Sequence, residues 1–192
     1  IVASGAGVKV TVSDLSVVGT LSRSDGLYGG GLYIANGVDL QMVRVNLQQN
    51  RDVGVSATGA DTKLFASSLV VQQTGELACG TETGCSKSGV GLLCEDASCQ
   101  VGEFELVDNA LCGMVLVSKD GRPSWGTDWF FAQSGLITRN AVGIDVQVED
   151  FNPNSSLSEV FNFGNTEADF SGRTIDLGAH PELYLPASAQ RN

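Results

Sequence analysis

The sequence predicts an all-β solenoid, in which successive coils of the chain stack and each coil packs only on its neighbours. Three segments share one cadence, with an asparagine before a glycine that opens a short alternating apolar run: NRDVGVSA, NALCGMVL and NAVGIDV. The composition agrees with this prediction, because 24 glycines and only 17% charged residues are typical of a turn-rich β protein.

The repeat sets the expected coils, each of which begins at a glycine of this cadence. The starting positions are Gly31, Gly54, Gly91, Gly113 and Gly143. The uninterrupted coils give a period of about 22 to 24 residues, and the coils from Gly54 and Gly113 are lengthened by insertions. An earlier coil is expected from Gly7, which makes about six coils in all.

Alternation of apolar residues within each coil predicts strands that face a narrow interior. The first strand of each coil supplies inward stacks made of Leu32 and Ile34, Val55 and Ala57, Leu92 and Cys94, Met114 and Leu116, and Ile144 and Val146. A second strand is expected to bury Val38 and Leu40. A third strand is expected to bury Val43, Val45 and Leu47, with later partners Leu69, Val71, Phe104, Leu106 and Leu136.

Three short strands in each coil of this length are typical of a right-handed parallel β-helix. Over residues 7–150 the chain resembles the pectate-lyase-like parallel β-helix superfamily, whose fold occurs in pectate lyases, polygalacturonases and many bacterial surface and secreted proteins. The resemblance rests on the repeat rhythm, and it therefore implies a fold rather than an activity. We expect one β-helix domain over 1–192, cut from a longer protein, with regular coils over 1–150 and an irregular last coil and cap over 151–192.

Asparagines and glycines have structural roles in this arrangement. Asn50, Asn109 and Asn140 are expected to form a hydrogen-bonded ladder along equivalent turns, because asparagine tolerates the left-handed backbone region. The glycines are expected at tight corners where a Cβ would clash.

The formal net charge of −11 argues against binding to nucleic acid or to anionic lipid, which depends on lysine and arginine. No run of about 18 apolar residues occurs, so membrane insertion of this segment is not expected.

Five cysteines fall in one stretch of the chain, and their spacing does not match a zinc site. We expect local disulfides between Cys79 and Cys85 and between Cys94 and Cys99, with Cys112 left over. Such bridges predict an oxidising, extracellular location, either secreted or at the cell surface. The alternative is five reduced thiols, with Cys94 and Cys112 filling the core.

The inserted loop KDGRPSWGTDW is the best candidate binding site. It holds Trp125 and Trp129 close to Asp120, Arg122 and Asp128, a combination that suits stacking on sugar rings and hydrogen bonding to hydroxyls. The alternative is that the tryptophans fold back to cover a coil edge. A second candidate is the outward column of Tyr33, Ser56, Leu93 and Val115, whose apolar members could bind a partner protein.

A calcium site is conceivable at Asp14, Asp39 and Asp61, which follow the coil glycines by similar intervals. If these carboxylates stacked, they would lie about 4.8 Å apart and would need a cation to offset their repulsion. The alternative is simple turn chemistry, for which aspartate is a preferred residue.

No residue is assigned a catalytic role. The lone histidine, His180, lies far down the expected cap, and Arg44, Arg51 and Arg139 carry no mark of a lyase base. The sequence therefore predicts a non-catalytic secreted or cell-surface module for adhesion, carbohydrate binding or display, with a carbohydrate or a protein surface as its ligand. The alternative function is a carbohydrate-active enzyme, a polysaccharide lyase or glycosidase that uses carboxylates on the coil face.

Overall fold

Two parallel β-sheets make up nearly all of the regular structure. The computed structural model describes residues 1–21, 29–76, 88–118, 129–148 and 151–172. The strands of the first sheet, sheet A, are β1 (Val2–Ser4), β3 (Leu32–Ala35), β5 (Val53–Thr58), β7 (Val90–Glu95), β9 (Cys112–Val117), β11 (Val142–Gln147) and β13 (Ala168–Gly172). The strands of the second sheet, sheet B, are β2 (Lys9–Val18), β4 (Asp39–Gln48), β6 (Lys63–Gln72), β8 (Ser98–Val107), β10 (Phe130–Thr138) and β12 (Leu157–Asn162).

The strands alternate strictly between the sheets along the chain. Odd-numbered strands lie in sheet A, even-numbered strands lie in sheet B, and every strand pair is parallel. A single helical turn, α1 (Pro153–Ser156), precedes β12. This all-β arrangement is compatible with the predicted parallel β-helix, and its parallel pairing continues through residue 172, past the predicted end of the regular coils. Among the described residues, no helix has the length and apolar character needed to cross a membrane.

The predicted inward stacks of sheet A are confirmed. Leu32 pairs with Val55, Val55 with Leu92, Leu92 with Met114, and Met114 with Ile144. The companion stack two residues further along is formed by Ile34, Ala57, Cys94, Leu116 and Val146. All these side chains are at most 2% exposed and belong to one core cluster that both sheets share. Period-two alternation therefore placed this face of the core correctly.

The predicted second and third strands of each coil form one longer strand, which bends in the middle. At the bend of β4, Arg44 has a φ of 53°, and its equivalents in the other sheet B strands also have positive φ. This conformation interrupts the alternation, so Met42 and Val45 face the core while Val43 does not. The expected burial of Val43 is therefore wrong.

The expected burial of Leu136 is also wrong, and the same bend is the reason. Gly135 occupies the rung of Phe104, while Leu136 pairs with Glu105 and is half-exposed on the outer face. Ile137 takes the buried place beside Leu106 instead.

The first coil does not begin at Gly7. Val2 pairs with Tyr33, which places β1 beside β3, and Gly7 lies in the turn that leads to β2. The match of Gly7 with Gly31 is therefore wrong, because a turn glycine (φ 73°) shares only its residue type with the coil glycines.

The asparagine ladder is confirmed, and it extends further than the sequence indicates. The expected left-handed backbone is not at the asparagines but at the residues just before them, Gln49, Asp108 and Arg139. The backbone N–H of Thr74 donates to Asn109 Oδ1 (3.1 Å), that of Asn109 to Asn140 Oδ1 (2.9 Å), and that of Asn140 to Asn165 Oδ1 (3.0 Å). Asn109 and Asn140 are each 1% exposed. These side chains satisfy backbone groups that the turn would otherwise leave unpaired in the interior.

The ladder is interrupted at one rung. Asn50 accepts a hydrogen bond from the N–H of Thr20 (3.2 Å), but the next rung is Thr74 rather than asparagine. The buried Thr74 hydroxyl has no hydrogen-bond partner among the described residues. Thr74 is thus the weak rung of the ladder.

The coil glycines lie at close approaches between coils, as predicted. A Cβ built on Gly91 would meet the Gly113 carbonyl oxygen at 2.5 Å, and one on Gly113 would meet the Gly143 carbonyl oxygen at 2.8 Å. Gly31 and Gly54 have equivalent contacts at 2.8 Å and 2.7 Å. Real Cβ atoms do not approach backbone oxygens so closely, so only glycine fits this column.

The cysteine prediction is confirmed where the structure describes it. Cys94 and Cys99 form a disulfide, which indicates an oxidising environment, and Cys112 is free and buried. Cys79 and Cys85 lie outside the described residues.

The Cys112 thiol should be inert in the folded protein. Burial, together with the nearby carboxylates of Asp145 and Glu167, raises its pKa to about 12. Almost no thiolate, the nucleophilic form, therefore exists at pH 8. We expect iodoacetamide to leave Cys112 unmodified at pH 8 and to alkylate it after denaturation, as measured by peptide mass spectrometry. Equal rates in the native and denatured protein would contradict this burial.

Candidate functional site

A groove runs along the outer face of sheet B at the bend of its strands, with a volume of about 730 Å³. Residues of four strands line it, β6, β8, β10 and β12, which the register places side by side. The groove therefore runs across the strands, along the direction in which the coils stack.

Two columns of side chains form the surface of the groove. The first lies at the bend itself, where φ ranges from 34° to 62°, and consists of Ser68, Glu103, Ser134 and Glu159. The second lies two residues further along each strand and consists of Val70, Glu105, Leu136 and Phe161. The first column is polar and the second mostly apolar, so a ligand in the groove would meet both.

The groove is acidic. Its lining contains three carboxylates and no lysine or arginine. Glu159 accepts a hydrogen bond from the Ser134 hydroxyl at 2.9 Å, which orients one of its oxygens. In the part of the chain that the structure describes, neither Glu103 nor Glu105 has a hydrogen-bond or ion-pair partner, and both are exposed. Their charges are therefore available to a ligand.

The other end of the bend is neutralised. Arg44 donates from Nε to Asp14 Oδ1 at 2.6 Å and from Nη2 to Asp14 Oδ2 at 2.8 Å. The hydrogen bonds from Arg44 hold the pKa of Asp14 below its usual value. The negative charge at the bend that has no basic partner among the described residues therefore lies on the neighbouring strands β8, β10 and β12, which carry Glu103 and Glu159.

The predicted calcium ligands do not come together. Asp39 lies between Lys9 and Lys63 in the register of sheet B, Asp14 lies at the bend with Arg44, and Asp61 lies in a turn. The stacking that a calcium site would require does not occur, because the register of sheet B places Lys9 and Lys63 beside Asp39 instead of Asp14 and Asp61. Among the described residues, no three His, Cys, Asp or Glu side chains are placed so that together they could hold a metal ion. Calcium dependence stays a prediction for a binding assay to test.

The predicted tryptophan loop falls mostly outside the described residues. This applies to Asp120, Arg122, Trp125 and Asp128. Trp129 lies just before β10, where it is only 5% exposed and its ring centroid is 5.7 Å from that of Phe130. Trp129 thus packs in the core cluster, and ligand binding by the loop stays a prediction.

The predicted outward column of sheet A shares one register. Tyr33 pairs with Ser56, Ser56 with Leu93, and Leu93 with Val115. Ser56 is 3% exposed and the other three are half-buried, while the Tyr33 hydroxyl donates to Asp52 Oδ2 at 2.8 Å. This column therefore presents little free apolar surface.

The sequence pattern does not reveal the groove residues. The segment GEFEL contains Glu103 and Glu105, but its alternation indicated only that Phe104 and Leu106 face inward. What the sequence lacks is a feature that marks the bend. Positive φ is uncommon at residues such as glutamate and arginine, so these residue types do not indicate it. Comparison of the chain with protein-family models, curated proteins and solved structures found no match.

Proposed function

We propose that the chain is a right-handed parallel β-helix of about six coils, a non-catalytic module of a secreted or cell-surface protein that binds carbohydrate. The two parallel sheets, the shared core and the ladder along equivalent turns support the fold. The Cys94–Cys99 disulfide supports an extracellular location.

The observation that carries the proposed function is the open groove on the outer face of sheet B. Its second column offers Leu136, Val70 and the Phe161 ring, which is 39% exposed. Its first column offers hydroxyl and carboxylate oxygens beside this apolar strip. Sugars present apolar C–H faces together with hydroxyl groups, and paired apolar and polar surfaces of this kind fit both.

The alternative function, a carbohydrate-active enzyme, has weaker support. Arg44 and Arg139 are paired with Asp14 and Asp108, and the hydrogen bonds that the arginines donate to these carboxylates raise both arginine pKa values. A lyase base needs the opposite change, because it must accept a proton near neutral pH.

A hydrolase would have to pair carboxylates across the groove. Glu103 and Glu159 lie two rungs apart, with Ser134 between them, which corresponds to about 10 Å along the stack. Inverting pairs are about 6.5–9.5 Å apart, so the spacing of this pair does not favour hydrolysis, whereas Glu103 and Glu105, two residues apart on the outer face of β8, lie nearer to that range. Release of reducing ends from a glycan that the protein binds would overturn the non-catalytic assignment.

Replacing Phe161 with alanine is expected to weaken glycan binding about tenfold, because an aromatic surface contributes on the order of 1 kcal/mol or more to such stacking. The wild-type protein is first run on a glycan array with and without calcium, and the best ligand is then titrated by calorimetry. Phe163→Ala is the matched control, since Phe163 is similarly exposed (43%) but does not line the groove.

Three other results would redirect or overturn the assignment. Equal losses in both phenylalanine variants would show that the groove is not the site. Loss of binding in Trp125→Ala with full binding in Phe161→Ala would place the site in the predicted tryptophan loop. Failure to bind any glycan, both with and without calcium, would contradict carbohydrate binding as the function.

A further inference from the structure

We propose that the groove selects glycan chains that carry free amino groups, a cationic amino-sugar polymer, over neutral or uronic-acid chains. This inference rests on the proposed function and adds the chemical class of the ligand. It follows from three features of the groove: its charge, the placement of its carboxylates and the pairing of its backbone.

The charge of the groove favours a cationic ligand. Three carboxylates line it without a lysine or arginine, and the whole chain carries a net charge of −11. A polyuronide brings one carboxylate with each sugar, so like charges would repel along its whole length. An ammonium group on each sugar would instead form charge-assisted hydrogen bonds with the glutamates.

The carboxylates alternate with apolar side chains along the groove. Glu105 lies between Val70 and Leu136 in the second column, and Glu159 is two residues before Phe161 on β12. Adjacent rungs are about 4.8 Å apart, a spacing on the scale of one sugar. A sugar could therefore pack its C–H face on an apolar side chain while its amino group reaches the carboxylate of a neighbouring rung.

The paired backbone of the groove argues against a basic peptide as the ligand. The four strands β6, β8, β10 and β12 pair with one another throughout the groove. Among the described strands, β6, β8 and β10 are paired on both sides, so an extended peptide could add by main-chain hydrogen bonding only at the outer edge of β12. Over the rest of the groove recognition uses side chains alone, and this suits a ligand with repeated amino and hydroxyl groups.

Titration calorimetry of the intact chain with four ligands of matched length tests the inference. The ligands are a glucosamine oligosaccharide, its fully N-acetylated form, an oligogalacturonide and an oligolysine. We expect the glucosamine chain to bind about tenfold or more tightly than the acetylated chain, with an affinity that falls as salt rises. Glu105→Gln should weaken this binding several-fold, whereas Glu167→Gln, an equal charge change at an exposed position outside the groove, should not.

Each of the other possible binding results would contradict either the amino-sugar inference or the proposed carbohydrate binding. Equal affinity for the free and acetylated chains, or preference for the oligogalacturonide, overturns the amino-sugar inference and leaves glycan binding in place. Binding to none of the three glycans removes the proposed function as well. Equal losses in the Glu105 and Glu167 variants would show that only overall charge matters, and tighter binding of oligolysine, lost in Glu105→Gln, would assign the groove to a basic peptide. Circular dichroism confirms that each variant is folded.

Discussion

Replacing Asn140 with alanine is expected to lower the free energy of unfolding by about 3 kcal/mol. Asn140 Oδ1 accepts from the N–H and the Nδ2 of Asn109, and its own Nδ2 donates to the carbonyl oxygens of Leu106 and Thr138 and to Asn165 Oδ1. The alanine variant leaves several of these buried groups without partners, at a cost of about 1–3 kcal/mol for each unpaired group.

The midpoint of thermal unfolding, followed by circular dichroism, should therefore fall by roughly 6–12 °C in a chain of this size. Asn46→Ala is the matched control, because the Asn46 side-chain oxygen is buried without a partner among the described residues. Removing the Asn46 side chain should therefore lower the free energy of unfolding far less.

Thr74→Asn should raise the free energy of unfolding by about 1 kcal/mol, since an amide at this position could accept from the N–H of Asn50 and complete the ladder. An unchanged midpoint in Asn140→Ala would show that the ladder adds nothing to stability.

Replacing Gly91 with alanine is expected to destabilise the chain by about 3 kcal/mol, as overpacking against a backbone does. The added Cβ would lie 2.5 Å from the Gly113 carbonyl oxygen and 2.9 Å from Asn109 Nδ2. Neither neighbour can withdraw cheaply, because the first is backbone of the next coil and the second belongs to the ladder.

Gly102→Ala provides the control, since the nearest atom to its added Cβ is the Ala66 carbonyl oxygen at 3.9 Å. This substitution in the middle of β8 should be neutral or slightly stabilising, because alanine has less backbone freedom to lose. Chemical denaturation of both variants measures the difference. Equal effects of the two substitutions would mean that the coils can separate enough to admit a methyl group at the Gly91 corner.

The repeat rhythm determined the core of sheet A and the roles of its corner residues. Alternation over a short strand is a local property, so Leu32, Val55 and Leu92 could be assigned to one stack before their register was known. Asn109 and Asn140 could be assigned to the ladder because equivalent turns recur with the same residue type. The spacing of Cys94 and Cys99 likewise pointed to their disulfide.

The course of sheet B could not be predicted in the same way. Its six strands bend at residues that share a positive φ but no common residue type: Asp14, Arg44, Ser68, Glu103, Ser134 and Glu159. No glycine or asparagine marks the bend, so the alternation predicts that Val43 and Leu136 face the core, which is wrong. Pairing with neighbouring parallel strands holds these residues in a conformation that their own preferences disfavour.

The sequence by itself determined the class of fold, the inward stacks, the ladder and the glycine corners, because each depends on chemistry that repeats within one coil. Only the tertiary structure decided the candidate site. Ser68, Glu103, Leu136 and Phe161 come from four different strands, and the register of those strands brings them together. The groove also depends on a bend that exposes Leu136 and on the absence of a basic partner for Glu103 among the described residues. Both are properties of neighbouring coils, so no single repeat of the sequence carries them.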